Sequence, residues 1–271
     1  MSLLNGLQEL TVYDLSQPLE AGTPTSPNHP PFRMALQRRH GDVVREDGGS
    51  AASELLVMGG HTGTHMDALC HVSHRGALHG GVSAADAVVG GRFASLGIDS
   101  LPPAVCRGVL LDAAQAVGKT YLDAALPITD DLLREACTIQ EITIGAGDAV
   151  LVRTGWGVGR YDDPRAFVGH DSGVPGIDET GAAWLASLDV AIVGGDTIAL
   201  EYLPPGRGHA SLPVHRVLLV ENGIPIIEML NLEELAQNRV FEFLFIAAPI
   251  KIVGATGAPI RPLALTERAW S

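Results

Sequence analysis

The sequence predicts a single α/β domain over residues 1–271, and three observations support this fold class. Short runs rich in β-branched residues alternate with helical segments along the chain. A length of 271 residues fits one large domain. No low-complexity linker, charge block or internal repeat marks a boundary between two domains.

Seven segments carry the pattern of β-strands. Several of them are uninterrupted apolar runs, which are typical of strands covered on both faces. The predicted strands cover residues 9–15, 53–58, 108–112, 148–154, 190–193, 225–228 and 240–246.

Helix signals occur in three places. Thr129 offers a capping hydroxyl before acidic residues, and Asp178 does the same before a helix around residues 182–188. Pro213 suits the first turn of a third helix, because a missing N–H is tolerated there. This third helix places His215 in its first turn, and the strand at 225–228 follows it.

The charge balance argues against nucleic acid and anionic membrane surfaces as partners. The chain has 31 acidic and 18 basic residues and a net charge of -13, which repels phosphate groups. The simplest interpretation is a well-solvated acidic surface. The most apolar stretch, residues 240–253, is interrupted by Glu242, Pro249 and Lys251, so we expect no membrane span.

The start of the chain and its cysteines predict a cytoplasmic location. Residues 1–4 show neither a basic region nor the beginning of a long apolar core, so we expect no signal peptide. Cys70, Cys106 and Cys137 are odd in number and form no C-x-x-C pair, which fits a reducing compartment.

Histidines are concentrated in one part of the chain, since five of the ten lie between positions 61 and 79. His61, His65 and Asp67 supply imidazole and carboxylate ligands within seven residues, the mixed set that divalent cations bind. Glycines at 59, 60 and 63 disfavour a regular helix, so we predict a turn after the strand at 53–58. The joint pattern predicts a metal site.

The segment from His61 to His71 resembles the H-x-G-T-H-x-D-x-x-x-H signature of the cyclase family of metal-dependent hydrolases, which includes bacterial kynurenine formamidase and isatin hydrolase. Further similar segments follow in the family's order: 14–19, 147–155, 194–197, His215 and 223–232. The resemblance therefore extends over most of the chain. It implies a swivelling β/β/α-like architecture, with a central mixed sheet or barrel flanked by helices, and a homo-oligomer, either a dimer or a tetramer.

The resemblance also implies roles for particular residues. A first ion is held by the positions matching His61, His65 and Asp67, and a second by those matching Asp67, His215 and Glu228, with Asp67 bridging. The position matching His71 serves as the acid and base. Imidazole with carboxylate suits zinc first and manganese second, with one or two ions per chain.

This site predicts hydrolysis of an amide-type C–N bond by metal-activated water. A divalent cation lowers the pKa of bound water toward neutrality and stabilises the oxyanion, and an imidazole carries protons near neutral pH. The resemblance points to an arylformamide such as N-formylkynurenine or a cyclic amide such as isatin. A lactone or ester hydrolase, a ring-forming cyclase and a metal-binding protein without catalysis are the alternatives.

Single residues also allow structural interpretations. Glu228 in an apolar strand needs a metal or a partner if it is buried, but on an edge strand it faces water. Asp196 either orients a ligand histidine or stabilises a turn. Cys70 is interpreted as a buried thiol, and a nucleophile paired with His71 is the alternative.

Other segments could shape a pocket. The proline-rich residues 24–32 form a loop that is either a pocket wall or a surface connector. Trp156, Trp184 and Phe32 belong either to an aromatic wall or to the core.

Overall fold

The computed structural model describes residues 10–267. Its strands are β1 (Leu10–Asp14), β2 (Arg33–Arg38), β3 (Ser53–Val57), β4 (His65–Asp67), β5 (Val88–Val89), β6 (Arg92–Phe93), β7 (Ala104–Asp112), β8 (Pro127–Ile128), β9 (Ala149–Arg153), β10 (Gly176–Ile177), β11 (Ile192–Gly195), β12 (Ile226–Glu228), β13 (Glu242–Ala247), β14 (Gly257–Pro259) and β15 (Leu263–Glu267). Its helices are α1 (Ala113–Ala116), α2 (Asp130–Gln140), α3 (Pro164–Val168), α4 (Glu179–Ser187), α5 (Pro213–His215) and α6 (Glu233–Gln237), and a π-helix (Arg216–Glu221) continues α5.

Nine of the strands form one curled mixed sheet, in the order β1-β15-β13-β7-β9-β11-β12-β4-β14. The four central strands from β7 to β12 run parallel to one another. Antiparallel strands flank them on both sides. This mixed sheet with helices confirms the predicted fold class.

The central strands are buried on both faces because their side chains alternate between two apolar clusters. Val109 and Val150 point into a cluster with Leu133 of α2 and Leu185 of α4. Leu110, the neighbour of Val109, points into a second cluster on the opposite face. These strands therefore show the uninterrupted apolar runs that the sequence predicted.

All seven predicted strands are present, with ends shifted by up to four residues. The first is Leu10–Asp14. Glu9 and the segment 1–4 that entered the location prediction lie outside the described residues. The other eight strands of the described residues, β2, β4, β5, β6, β8, β10, β14 and β15, were not predicted. Unlike the central strands, β3 is exposed at all five of its residues.

The three helix starts are confirmed. Thr129 and Asp178 cap α2 and α4 by accepting backbone N–H bonds, and Pro213 occupies the first turn of α5. Gly223 adopts a left-handed φ of 68° shortly after the π-helix. No helix within residues 10–267 has both the length and the apolar character to cross a bilayer.

Candidate metal centre

The strand β4 carries two of the predicted ligands into the large sheet, one strand in from its edge. It lies between β12 and β14, with His65 directly opposite Glu228. The predicted turn is therefore only part of the arrangement: the glycine-rich turn ends at Thr64 and a short buried strand follows. Gly63, with a left-handed φ of 66°, makes the turn that starts this strand.

His65 and His215 point the same ring nitrogen at the same two carboxylates. His65 Nε2 lies 3.4 Å from Asp67 Oδ1 and 3.3 Å from Glu228 Oε2. His215 Nε2 lies 3.6 Å from Asp67 Oδ2 and 3.2 Å from Glu228 Oε1. Two imidazoles and two carboxylates from β4, α5 and β12 thus converge on one point.

His61 and His71 complete the cluster on the other side of Asp67. His61 Nδ1 is 2.7 Å from Asp67 Oδ1, and its Nε2 is 2.8 Å from the Thr256 hydroxyl. The His71 ring stacks on the His61 ring with 3.9 Å between centroids. All six predicted site residues are therefore brought together.

Two overlapping sets of potential ligand atoms share Asp67. One consists of His61, Asp67 and His71, and the other of His65, Asp67 and Glu228. The resemblance instead implied His61 with His65 on one ion and His215 with Glu228 on the other. Asp67 is common to both arrangements, and its bridging of two ions, like the assignment of each histidine to an ion, stays a prediction.

The residues present fit a divalent cation. Within the described residues, three buried atoms of the cluster have no hydrogen-bond partner: His65 Nε2, Asp67 Oδ2 and Glu228 Oε1. An unsatisfied buried polar group costs about 1–3 kcal/mol. Converging imidazole nitrogens and carboxylate oxygens are the donors that zinc and manganese accept.

The charges of Asp67 and Glu228 also favour a bound cation. Burial and the nearby Asp67 oppose ionisation of Glu228, but the close imidazoles of His215 and His65 lower its pKa to about 2. Burial disfavours the charged form of His65, yet Asp67 and Glu228 outweigh it and raise its pKa to about 10. The two carboxylates therefore attract positive charge to this point, which a protonated imidazole or a metal cation supplies.

Two hydrogen bonds fix which nitrogen of each ligand histidine faces the cluster. His65 Nδ1 lies 2.7 Å from the carbonyl oxygen of Gly63. His215 Nδ1 lies 2.5 Å from Oε1 of Glu201, whose side chain is fully buried. Since Nδ1 donates in both rings, Nε2 is the nitrogen that faces the carboxylates, and it would offer its lone pair to a cation once the ring is deprotonated.

Glu201 is a residue that the sequence analysis missed. It stands in the apolar stretch 198–203, so the desolvation argument applied to Glu228 would have identified it. Asp196 does not orient a histidine: it accepts bonds from the backbone N–H groups of Thr154 and Gly155 and from the Thr154 hydroxyl. Its role is therefore to tie two strand ends together.

The cluster lies at the bottom of a cavity of about 220 Å³. The proline-rich loop forms one wall through Ser26, Asn28 and His29, so the pocket-wall interpretation is confirmed. His209 lies on another wall, and its Nδ1 is 3.3 Å from the Ser26 hydroxyl. Apolar lining comes from Val72, Ile198, Ala199 and Leu212.

Burial decides between the open interpretations of Cys70, Trp156 and Glu228. Cys70 is buried, and burial raises the pKa of its thiol to about 11. Trp156 is buried among Phe167, Val174 and Met229, which places it in the core. Glu228 is buried on an interior strand, so the exposed-edge alternative is wrong.

Comparison with known proteins places this arrangement in a family. The sequence profile of the Cyclase family matches residues 13–202. The chain belongs to the Cyclase family. The matched region contains the histidine-rich turn, β4 and Glu201, whereas His215 and Glu228 follow it.

Curated members of this family resemble the chain over nearly its whole length. Isatin hydrolase from Roseibium aggregatum is 29% identical, covering 98% of this chain and 95% of that protein. Kynurenine formamidase from Paracidovorax citrulli is 26% identical, covering 94% of this chain and 96% of that protein. Both are hydrolases, and the Cyclase-family protein described here is an enzyme of the hydrolase kind.

Solved structures of the family share the fold. A structure described as a novel cyclase superposes with a TM-score of 0.83 at 29% identity, covering 97% of this chain and 91% of the other. An isatin hydrolase bound to the product analogue thioisatinate gives 0.73 at 26% identity, covering 98% and 100%. A protein from Bacillus stearothermophilus described as a predicted metal-dependent hydrolase gives 0.60 at 25% identity, covering 94% and 98%.

Proposed function

We propose that this protein is a divalent-metal-dependent hydrolase that cleaves an amide-type C–N bond in a small molecule. The observation that carries the proposal is the convergence of the unsatisfied atoms His65 Nε2, Asp67 Oδ2 and Glu228 Oε1 at the base of a cavity. A buried cluster of this composition is costly for a fold unless a cation binds it.

The residues that would hold the metal are His61, His65, Asp67, His215 and Glu228. When bound there, a divalent cation lowers the pKa of water and polarises a carbonyl group. Zinc is the first choice and manganese the second, because both accept imidazole with carboxylate, and either one or two ions fit the shared Asp67. The metal-dependent description of one structural relative supports the same choice.

His71 is the proposed acid and base. Its half-buried ring lies on the cavity wall, stacked on His61 and 6.1 Å from the His215 ring centroid. From this wall an imidazole would be available to an attacking water and to the departing nitrogen of a substrate bound above the carboxylates. It takes a proton from the first and returns it to the second.

The cavity and the relatives together define the substrate class. The apolar residues Val72, Ile198 and Leu212 suit a small, flat, apolar body, while His29, His209 and Asn28 offer hydrogen bonds to carbonyl groups. The relatives named isatin hydrolase and kynurenine formamidase suggest a cyclic amide such as isatin or an arylformamide such as N-formylkynurenine.

The test combines metal analysis with a substrate panel. The purified protein is analysed for zinc and manganese and then assayed with isatin, N-formylkynurenine, an aryl lactone and an aryl ester. Metal-dependent turnover of either amide supports the proposal. Turnover of the lactone or ester alone would instead indicate the lactone or ester hydrolase. Bound metal without any turnover, unaffected by His71→Ala, would indicate a metal-binding protein.

We also propose a cytoplasmic location without nucleic-acid partners. The three cysteines of the described chain are free thiols, and a net charge of -13 disfavours phosphate backbones.

A further inference from the structure

His209 lies on the cavity wall and has one ring nitrogen without a partner. Its half-buried ring lines the cavity together with Ser26. Nδ1 lies 3.3 Å from the Ser26 hydroxyl, whereas Nε2 makes no hydrogen bond within residues 10–267. His209 is not among the described residues that form the ligand sets around Asp67. A polar atom of a bound substrate is therefore able to pair with Nε2.

Ser26 determines which ring nitrogen of His209 carries the proton. The Ser26 side chain is buried, and its Oγ already accepts the backbone N–H of Asn28 at 3.4 Å. The hydroxyl proton of Ser26 is therefore free for another acceptor, and His209 Nδ1 is the acceptor within reach. A neutral imidazole that accepts at Nδ1 carries its proton on Nε2. Nε2 of His209 is thus a hydrogen-bond donor.

The polar part of the cavity wall outside the metal cluster is uncharged. Burial lowers the pKa of His209, and this effect outweighs the opposing charge of Glu228, so the ring is neutral near pH 7. Ser26 and Asn28 carry no charge, and burial lowers the pKa of His29 as well. None of the described residues that line the cavity is a lysine or an arginine. Such a wall suits an uncharged acceptor, for example a ketone oxygen, better than a carboxylate.

The backbone that carries His209 is held in place by the neighbouring segment. Leu203 and Val174 exchange two backbone hydrogen bonds, at 3.0 and 2.9 Å. The Gly206 N–H donates to the carbonyl oxygen of His170 at 2.8 Å. A donor that is fixed before the substrate arrives loses little freedom on binding, so it can distinguish between similar substrates.

His209 and His71 approach the cavity from different walls. His71 is stacked on the ring of His61, at 3.9 Å between centroids. His209 instead lies in the loop before α5, close enough to Glu228 and His215 for their charges to affect its pKa. A substrate whose scissile bond lies beside His71 therefore presents another of its groups to His209.

We infer that His209, oriented by Ser26, donates its Nε2–H to a second carbonyl oxygen of the substrate and thereby favours amides that carry a ketone beside the scissile bond. This inference rests on the proposed function. Isatin carries a ketone next to its amide carbonyl, and N-formylkynurenine carries one on the aryl ring beside the formamide. An amide without this ketone leaves the donor of His209 unpaired, which weakens its binding in the transition state.

The experiment compares two aryl formamides that differ only in the second carbonyl group, 2-acetylformanilide and formanilide. We expect His209→Leu to lower kcat/KM about 10-fold for 2-acetylformanilide and less than about twofold for formanilide. His209→Gln keeps an N–H near the position of Nε2, so it should retain most of the preference. His40→Leu is the matched control, because His40 is exposed and its Nδ1 also lies close to a serine, at 3.1 Å from Ser50 Oγ.

A second measurement tests the role of Ser26. Nitrogen-15 NMR of the imidazole rings, in buffer that contains zinc, distinguishes a proton on Nε2 from one on Nδ1. We expect the Nε2–H form of His209 in the native protein near neutral pH. Ser26→Ala should increase the population of the Nδ1–H form and lower the preference for 2-acetylformanilide, whereas a merely structural Ser26 would change neither.

Two results would overturn the inference: a His209→Leu variant with the native preference between the two formamides, or a native His209 that carries its proton on Nδ1. If His209→Leu does not fold, as judged by circular dichroism, His209→Gln and the NMR of the native protein decide.

The same NMR resonance separates this inference from the proposed function. If the native protein cleaves neither formamide, we expect 2-acetylformanilide, but not formanilide, to shift the Nε2 resonance of His209. An equal response to both compounds, or no response to either, would contradict the role of His209. Because this shift does not require turnover, failure of this inference is distinct from failure of the proposed function.

Discussion

Glu201 contacts His215 at two points and its neighbour Val214 at a third: the carboxylate lies 2.5 Å from the ring Nδ1 of His215 and accepts the backbone N–H groups of His215 and Val214 at 3.2 and 3.3 Å. The first turn of α5 and the histidine ring are thereby oriented by one fully buried carboxylate. Nε2 of His215 is left facing Asp67 and Glu228. This makes Glu201 a positioning residue for the candidate metal centre.

The variant Glu201→Gln tests this role. The amide keeps the size of the side chain but removes the charge that makes the imidazole a stronger ligand. We expect metal affinity to fall about 10- to 100-fold, as for other partners of ligand histidines. Competition with a chromogenic chelator measures it, and Glu242→Gln, at an exposed glutamate, is the control. An affinity equal to that of the native protein would refute the positioning role.

Asp67→Asn is expected to abolish metal binding. The single carboxylate of Asp67 lies close to His61, His65 and His215. The asparagine amide has no negative charge and therefore does not attract the cation. Metal content measured by mass spectrometry should fall below about a tenth of the native value, and turnover by at least about 100-fold. Asp86→Asn, at an exposed position, should change neither. Native metal content in Asp67→Asn would argue against the proposed centre.

Removal of the metal by a chelator should lower both activity and thermal stability. A ligand at 100 times its Kd stabilises the folded state by about 2.7 kcal/mol. For a protein of this size, that loss corresponds to a fall in Tm of roughly 5–10 °C. Differential scanning calorimetry before and after dialysis, and after addition of zinc or manganese, measures the change. Full activity and an unchanged Tm after dialysis would count against metal dependence.

The sequence was sufficient to predict the central sheet because each parallel strand contains a short continuous apolar stretch, namely residues 109–111, 149–152, 192–193 and 226–227. It was not sufficient for β4, since His65–Asp67 becomes a strand only by pairing with β12 and β14. A three-residue segment has too little periodicity to be recognised locally. The exposure of β3 could not be predicted from the sequence either, because an apolar run does not show whether other residues cover it.

Within the site, the residues that could be predicted are those that lie close together in the sequence. His61, His65, Asp67 and His71 are close in the sequence, so their joint pattern was informative. His29 and His209 reach the cavity from two distant loops, and a single histidine in a loop carries no signal of its own. Their positions depend on how residues 24–32 and the loop before α5 fold over the sheet.

The variant Cys70→Ala tests whether Cys70 is a structural thiol or a nucleophile. Cys70 is buried, its Sγ contacts the Ala255 carbonyl oxygen at 3.8 Å, and its pKa is raised to about 11, so little thiolate exists near neutral pH. We expect turnover within about twofold of the native value. Alkylation of the native protein by iodoacetamide at pH 7.5 should be slow at Cys70 when followed by peptide mass spectrometry. A loss of turnover larger than 100-fold would support the nucleophile instead.

Gly257→Ala tests how closely β14 supports the ligand His61. A Cβ at this position would lie 2.6 Å from Cε1 of His61 and 2.9 Å from the Met66 carbonyl oxygen, and the latter belongs to backbone that cannot rotate away. His61 or β14 must therefore move, which we expect to cost about 1–3 kcal/mol of unfolding free energy and to weaken metal binding several-fold. Gly145→Ala is the matched control, because its Cβ would meet only Asp148 Oδ2 at an ordinary 3.6 Å. Urea unfolding and chelator competition measure the two effects separately. Both variants add one methyl group to a glycine of the same fold. A loss of unfolding free energy and metal affinity in Gly257→Ala alone would therefore assign the effect to His61 and its neighbours. Equal values for the two variants would show that β14 shifts without disturbing the centre.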